Sequence, residues 1–180
     1  MSHLRRPSFA PRHPVHVTLR LLSGVGFLRA FSRVRAIEQA LREIKHRSGM
    51  RVVHYSIQGN HLHLIVEIDD PVILPCAIQG LSVRLAKTLN RLAARSGKVF
   101  LDRYHAHVLK TPREVRNAVR YVVENFRHHL REDVAPSGAD PCSSAAWFAT
   151  RFTDDVPIAS PRTWLLRNAP TPVLSRPTTG

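Results

Sequence analysis

Acidic side chains are scarce in this chain: 13 Asp and Glu stand against 27 Lys and Arg in 180 residues, giving a net charge of +14 and a pI of about 11.4. That deficit suits a polyanionic partner, because each basic side chain that meets a phosphate releases counterions. The imbalance is steepest near the start, where eleven Lys and Arg between Arg5 and Arg51 meet only Glu38 and Glu43. Cysteine is nearly absent. Cys76 and Cys142 lie far apart with no metal-ligand spacing, which excludes a disulfide framework or a zinc ribbon and suits a reducing compartment. No apolar run approaches the length of a membrane span and the N-terminus shows no apolar signal core, so a soluble cytoplasmic protein without a membrane partner is expected. The glycines of Ser23-Gly24-Val25-Gly26 lead into neither a GxGxxG nor a Walker pattern, so that stretch reads as a plain turn. No internal repeat is visible.

What is present is enough for one core. An apolar share of 43% argues against wholesale disorder, and the length allows one domain plus tails. Residues 1–12 read as a basic, flexible arm, 13–132 as the domain, and 133–180 as a Pro- and Ser-rich tail. From His13 to Leu22 the chain alternates, with Val15, Val17, Leu19 and Leu21 on one face and His16, Thr18 and Arg20 on the other, the pattern of a half-buried strand. Phe31 to Arg47 has helical spacing at Val34, Ile37, Leu41 and Ile44. Arg51 to Gln58 alternates again, with Val53, Tyr55 and Ile57 inward and His54 and Ser56 outward. Gly59-Asn60 then reads as a two-residue hairpin turn of the kind that favours positive backbone angles.

The strand that follows is His61-Leu62-His63-Leu64-Ile65-Val66-Glu67. Side chains two apart leave an extended chain on the same face, so His61 and His63 project together while Leu62, Leu64, Val66 and Ile68 point into a core. Asp69-Asp70-Pro71 opens a helix running to about Ala94, and Val99 to Leu109 is extended. Thr111-Pro112-Arg113-Glu114 carries a capping box that starts a third helix, expected to reach about Arg131. Trp147-Phe148 and Trp164-Leu165-Leu166 are expected to dock back as short anchors that form no core of their own.

Strand, helix, strand, strand, helix, strand is the order of an α+β, ferredoxin-like split βαβ sheet with two helices on one face, here followed by an extra helix. The other face carries His16, Thr18, Arg20, His54, Ser56, His61 and His63, a polar platform suited to single-stranded nucleic acid. Aromatic stacking residues are missing from the central strands, which counts against RNA readout. Only the third helix is available to meet that platform. Its apolar stripe is Val115, Val119, Val122 and Phe126; Tyr121 lies about 140° round from Phe126, one turn from Asn125 on the same side.

Two histidines after a hairpin, with Tyr121-x-x-x-Asn125 on a capped later helix, resemble the single-tyrosine HUH transposases, and within them the REP-associated tyrosine transposases of bacteria. The stretches Arg103-Tyr104-His105-Ala106-His107-Val108-Leu109, Thr111 to Val115 and Tyr121 to Asn125 resemble that group too, so the likeness spans His13 to about Leu130. It implies a metal-dependent nickase and strand transferase on hairpin-containing single-stranded DNA, acting as a monomer or homodimer in the bacterial cytoplasm at the nucleoid. His61, His63 and Asn125 would be ligands of Mg²⁺ or Mn²⁺, and Tyr121 would attack phosphorus to form a 5′-phosphotyrosine. Arg20, His16, His54, Arg84, Arg103, His105, His107 and Arg120 are the expected DNA contacts. Two departures stand out: Phe126 where many relatives have Pro, and Cys142 where a Tyr is usual. The other readings of the same residues are a silent nucleic-acid-binding module, a small metallohydrolase without a tyrosine, and a domesticated relative serving its host.

Overall fold

Apolar residues at every second position of three segments build the centre of this molecule. The computed structural model describes residues 9–45, 49–101, 103–124, 139–147 and 155–169. Its strands are β1 (Val15–Arg20), β2 (Met50–Ile57), β3 (His61–Ile68) and β4 (His105–Val108). The longer helices are α1 (Phe31–Ile44), α2 (Leu74–Leu92) and α3 (Pro112–Glu124), with a short α4 (Trp164–Arg167) near the end. The sheet order is β2-β3-β1-β4, and every neighbouring pair is antiparallel. β1 and β2 therefore run the same way with β3 between them, which is the expected split βαβ sheet.

Val15, Val17, Leu19, Leu62, Leu64, Val66 and Ile68 face α1 and α2, which supply Ile37, Leu41, Ile78, Leu81 and Leu85 to one core. Pro71–Leu92 is long and apolar enough in composition to cross a membrane, contrary to the expectation that no stretch would be. Its leucine stripe is instead committed to this core. Asp70 caps the start of that segment by accepting from the Val72 amide, and Pro71 fits there because no amide is needed at a first helical position.

The second strand departs from simple alternation. A bulge between Val52 and His54 changes the parity, so Val52, Tyr55 and Ile57 join the main core while Val53 turns to the opposite face. Val53 was expected inward; the extra residue of the bulge is what moves it. On that opposite face a second cluster forms from Val53, Ile65, Val115, Val119, Val122 and Val123, with Ala145 and Leu166 from the C-terminal segment.

Among its described residues the tail brings no core of its own, and those parts are tightly held. Cys142, Val156 and Ile158 enter the main core, and Trp147 packs against it while its Nε1 donates to the buried Tyr55 hydroxyl at 2.8 Å. Along β2, an edge strand, the Ile57 amide donates to Cys142 O and the Ala159 amide to Val52 O, each at 2.8 Å. Backbone groups that would otherwise offer a pairing edge are thereby occupied. Asp140, fully buried, takes a two-pronged ion pair from Arg29 at 2.7 and 2.9 Å.

Candidate functional site

β3 sets the site by its alternation. Its side chains away from the main core are His61, His63, Ile65 and Glu67, in that order from the hairpin. Register then fixes their neighbours: His61 lies opposite Arg20, His63 opposite Thr18, and Ile65 opposite His16 on β1. Across β1, Thr18 meets His105 and His16 meets His107 on β4. The polar face expected from the sequence is thus assembled, but it is open only in part. α3 and the tail cover the β2 side, and Ser56 is fully buried there.

α3 carries Tyr121 to the edge of that cover. Its start is the expected capping box: the Glu114 amide donates to Thr111 Oγ1 at 3.2 Å, and the Thr111 amide donates back to Glu114 Oε2 at 3.0 Å. The Lys110 amide, at 2.6 Å from Glu114 Oε2, and then the Thr111 amide hold the Glu114 carboxyl below the usual carboxylate range. With Val115, Val119 and Val122 turned onto the sheet, Tyr121 emerges 43% exposed. Its ring centroid is 5.2 Å from that of His63 and 6.1 Å from that of His16. The His61 and His63 rings are 4.7 Å apart in an edge arrangement.

The hydrogen bonds around the histidines bear on their ring nitrogens. His61 Nδ1 faces Asn60 Oδ1 at 2.8 Å, an acceptor, so Nδ1 donates and Nε2 carries the lone pair. His63 Nδ1 lies 3.1 Å from His16 Nε2 and 3.2 Å from Thr18 Oγ1, both able to accept from it. Burial, then the charges of His107 and His105, lower the pKa of His16 to about 4, so it is neutral near pH 7 and able to accept. Two imidazoles with oriented lone pairs can ligate a divalent metal, and a hard ion such as Mg²⁺ or Mn²⁺ would draw oxygen ligands beside them. Among the described residues no three His, Cys, Asp or Glu side chains converge as a metal cluster. Asn125, the residue expected as third ligand, and Phe126 lie outside the described residues.

The remaining predicted contacts fall in three places. Arg20, His105 and His107 are exposed on the polar face, beside or near the His pair, and Arg103 is exposed just before β4. Arg120 is exposed on α3 and pairs with Glu124 at 3.4 Å. Arg84 belongs to α2, on the far side of the sheet, where it pairs with Glu43 beside a groove of about 500 Å³ that Lys87 and Arg91 also line.

His54 sits half-buried beneath the tail, its Nδ1 3.4 Å from Ser144 Oγ, rather than out on the platform. The bulge and the docked tail, neither of which is written in local periodicity, put it there. Burial lowers its pKa to about 4 from an ordinary 6.5. The unfolded chain therefore takes up a proton near pH 6.5 that the folded chain refuses until about 4, so this stability is whole above 6.5 and is lost as pH falls towards 4. In urea melts at pH 7.5 and 5, His54→Gln is expected to shrink the acid loss of stability by about 2 kcal/mol. An unchanged acid loss would remove His54 as its source.

Sequence reasoning missed two features of this region. Alternation places Glu67 at the end of a strand without a role, yet it is fully buried and holds the tail. Gly59 and Asn60 were expected to have positive φ, but neither does. The Gln58 amide closes the turn on His61 O at 2.9 Å, and loop amides hold its two carbonyls: Leu28 N donates to Gly59 O and Leu21 N to Asn60 O, each at 2.9 Å. Gly59 leaves room for a neighbouring ring, since a Cβ there would lie 3.1 Å from Phe27 Cε2.

Comparison with known proteins agrees with this architecture. No curated protein is significantly similar to the chain. A structure of a REP-associated tyrosine transposase bound to a REP hairpin superposes with a TM-score of 0.61 at 16% identity, covering 86% of this chain and 90% of that one. A candidate transposase from Deinococcus radiodurans R1 gives a TM-score of 0.46 at 11% identity, covering 72% and 97%. The sequence pattern of IS200-like transposases matches residues 29–125, more than half of the chain, and on that match the protein belongs to the IS200-like transposase family.

Proposed function

We propose that this protein cuts and rejoins hairpin-containing single-stranded DNA through Tyr121. The observation that carries the proposal is the meeting of Tyr121 with His63 at 5.2 Å, and of His63 with His61 at 4.7 Å, on a basic sheet face left partly open. Tyr121 lies 58 and 60 positions from His63 and His61 in sequence, and the packing of the Val115, Val119 and Val122 stripe on the sheet brings it to them. The hairpin as substrate is supported by the structural relative solved with a REP hairpin.

His61 and His63 would hold a divalent ion, Mg²⁺ or Mn²⁺, with Asn125 as third ligand. When bound, it supplies positive charge to the non-bridging oxygens of the scissile phosphate. His16 and Thr18 position His63 by accepting from Nδ1, which keeps the opposite nitrogen for ligation. Tyr121 gives its phenol oxygen to phosphorus as the bond from phosphorus to the 3′-oxygen breaks. The phenol loses its proton and the departing 3′-oxygen gains one. Because the phosphotyrosine keeps the energy of the phosphodiester, the 3′-hydroxyl of another strand reverses the step without ATP. Arg20, His105, His107 and Arg103 would hold the strand by its phosphates, and Arg84 with its neighbours would do so on the far face.

The test is incubation with short hairpin oligonucleotides and Mg²⁺ or Mn²⁺. A covalent protein–DNA adduct that maps to Tyr121 and fails to form in EDTA is expected. Tight binding with no adduct under either metal would overturn the proposal in favour of a silent binding module.

A further inference from the structure

We infer that Phe27 is a stacking platform for an unpaired base of the DNA strand where it leaves the Tyr121 site. The inference rests on the proposed function and adds a binding position to it. Phe27 is 62% exposed, although its neighbours Val25 and Leu28 are buried in the main core. Most of the ring therefore contributes nothing to that core. One edge rests on Gly59, the residue before Asn60 and His61, and the Leu28 and Leu21 amides clamp the loop to the Gly59 and Asn60 carbonyls.

The ring is thus an exposed aromatic surface on a loop fastened to the turn from which the proposed metal-binding strand starts. Arg20 is exposed and paired in register with His61, two residues after the glycine that meets the ring. An aromatic face beside a cation is the combination that binds single-stranded nucleic acid without reading its sequence: the arginine meets a phosphate while the base lies on the ring. It is absent from the central strands, where such rings are commonly sought, because here it is delivered by a loop. A strand running from Tyr121 past His63 and His61 would reach Phe27 as it passes over the hairpin end. The occupant is therefore the base adjoining the cut, not a duplex base pair, whose faces are already stacked.

Binding is measured on Tyr121→Phe protein, so that no cleavage intervenes, with a hairpin that carries a short unpaired flank and with the same hairpin lacking it. Phe27→Ala is expected to weaken binding of the flanked hairpin roughly 10-fold, within the range for loss of one base–aromatic stack. It should leave the flankless hairpin unaffected, and Phe27→Trp should restore the flanked one. An abasic site at one flank position should cost as much as Phe27→Ala and add nothing to it, since both remove the same stack. Equal affinity of Phe27→Ala and its parent for the flanked hairpin would overturn the inference, as would an equal loss on both hairpins. A parallel reaction with the otherwise unaltered chain separates the two levels. Absence of any Tyr121 adduct sinks the proposed function and the inference with it, whereas a normal adduct with an indifferent Phe27 sinks the inference alone.

Discussion

Tyr121→Phe is expected to abolish the covalent adduct, by on the order of 10³-fold or more in rate, while leaving fold and DNA binding in place. The substitution removes one oxygen. At 43% exposure, Tyr121 leaves no buried polar partner behind when that oxygen goes, and the helix stripe of Val115, Val119 and Val122 that seats α3 is untouched. A stability change within about 0.5 kcal/mol is therefore expected, which thermal melting would check. The discriminating control is Tyr104→Phe. Tyr104 precedes a second His-x-His, His105 and His107, and is the rival nucleophile on sequence grounds. Its ring packs against the main core, whereas His105 and His107 stand on the opposite, exposed face. Adduct formation should survive Tyr104→Phe. Loss of the adduct there, with retention in Tyr121→Phe, would reassign the chemistry.

The parts of this site that local patterns encode were legible before any coordinates. Alternation put His61 and His63 on one face, and the Thr111-to-Glu114 capping box fixed where the tyrosine helix starts, so Tyr121's angular position followed from 100° per residue. Sequence was silent where a residue's surroundings come from afar. A bulge depends on how two strands register, and nothing between Arg51 and Gln58 announces that Val53 will change sides. His54 and Ser56 were read as open because their cover arrives some ninety residues later, with Ser143 and Ser144. Gly59 showed its glycine but not its neighbour, the ring of Phe27, thirty-two positions earlier. The acidic residues misled in the same way. Glu38 counted as surface charge against the arginines, yet it is buried and accepts from Tyr55 Oη at 2.7 Å.

Glu67→Ala is expected to damage the fold severely, costing about 3–5 kcal/mol, the range for removing one partner of a buried charged pair. The Glu67 carboxylate is fully buried and accepts from Arg51 Nε at 3.2 Å, from the Arg162 amide at 2.9 and 3.0 Å, and from the Thr163 amide at 2.7 Å. Without it, two backbone donors and a mostly buried guanidinium lose an acceptor, and Arg51 keeps only Asp69 at 2.9 Å. Glu67→Gln keeps the shape and one carbonyl and should fall between Ala and the parent. The damage should travel. Thr163 caps α4, α4 seats Leu166, and Leu166 packs in the cluster with Val115, Val119 and Val122 on which α3 rests. Glu67 thus stands at one end of the same strand face that begins with His61, and through the tail it steadies the helix that brings Tyr121 to His63. Trypsin should cut Glu67→Ala readily after Arg162 or Arg167, and urea melts should show the lost stability. Adduct formation should fall with it at temperatures where the domain is still folded. Full adduct formation alongside a released C-terminal segment would show that α3 holds its place on the sheet without the tail.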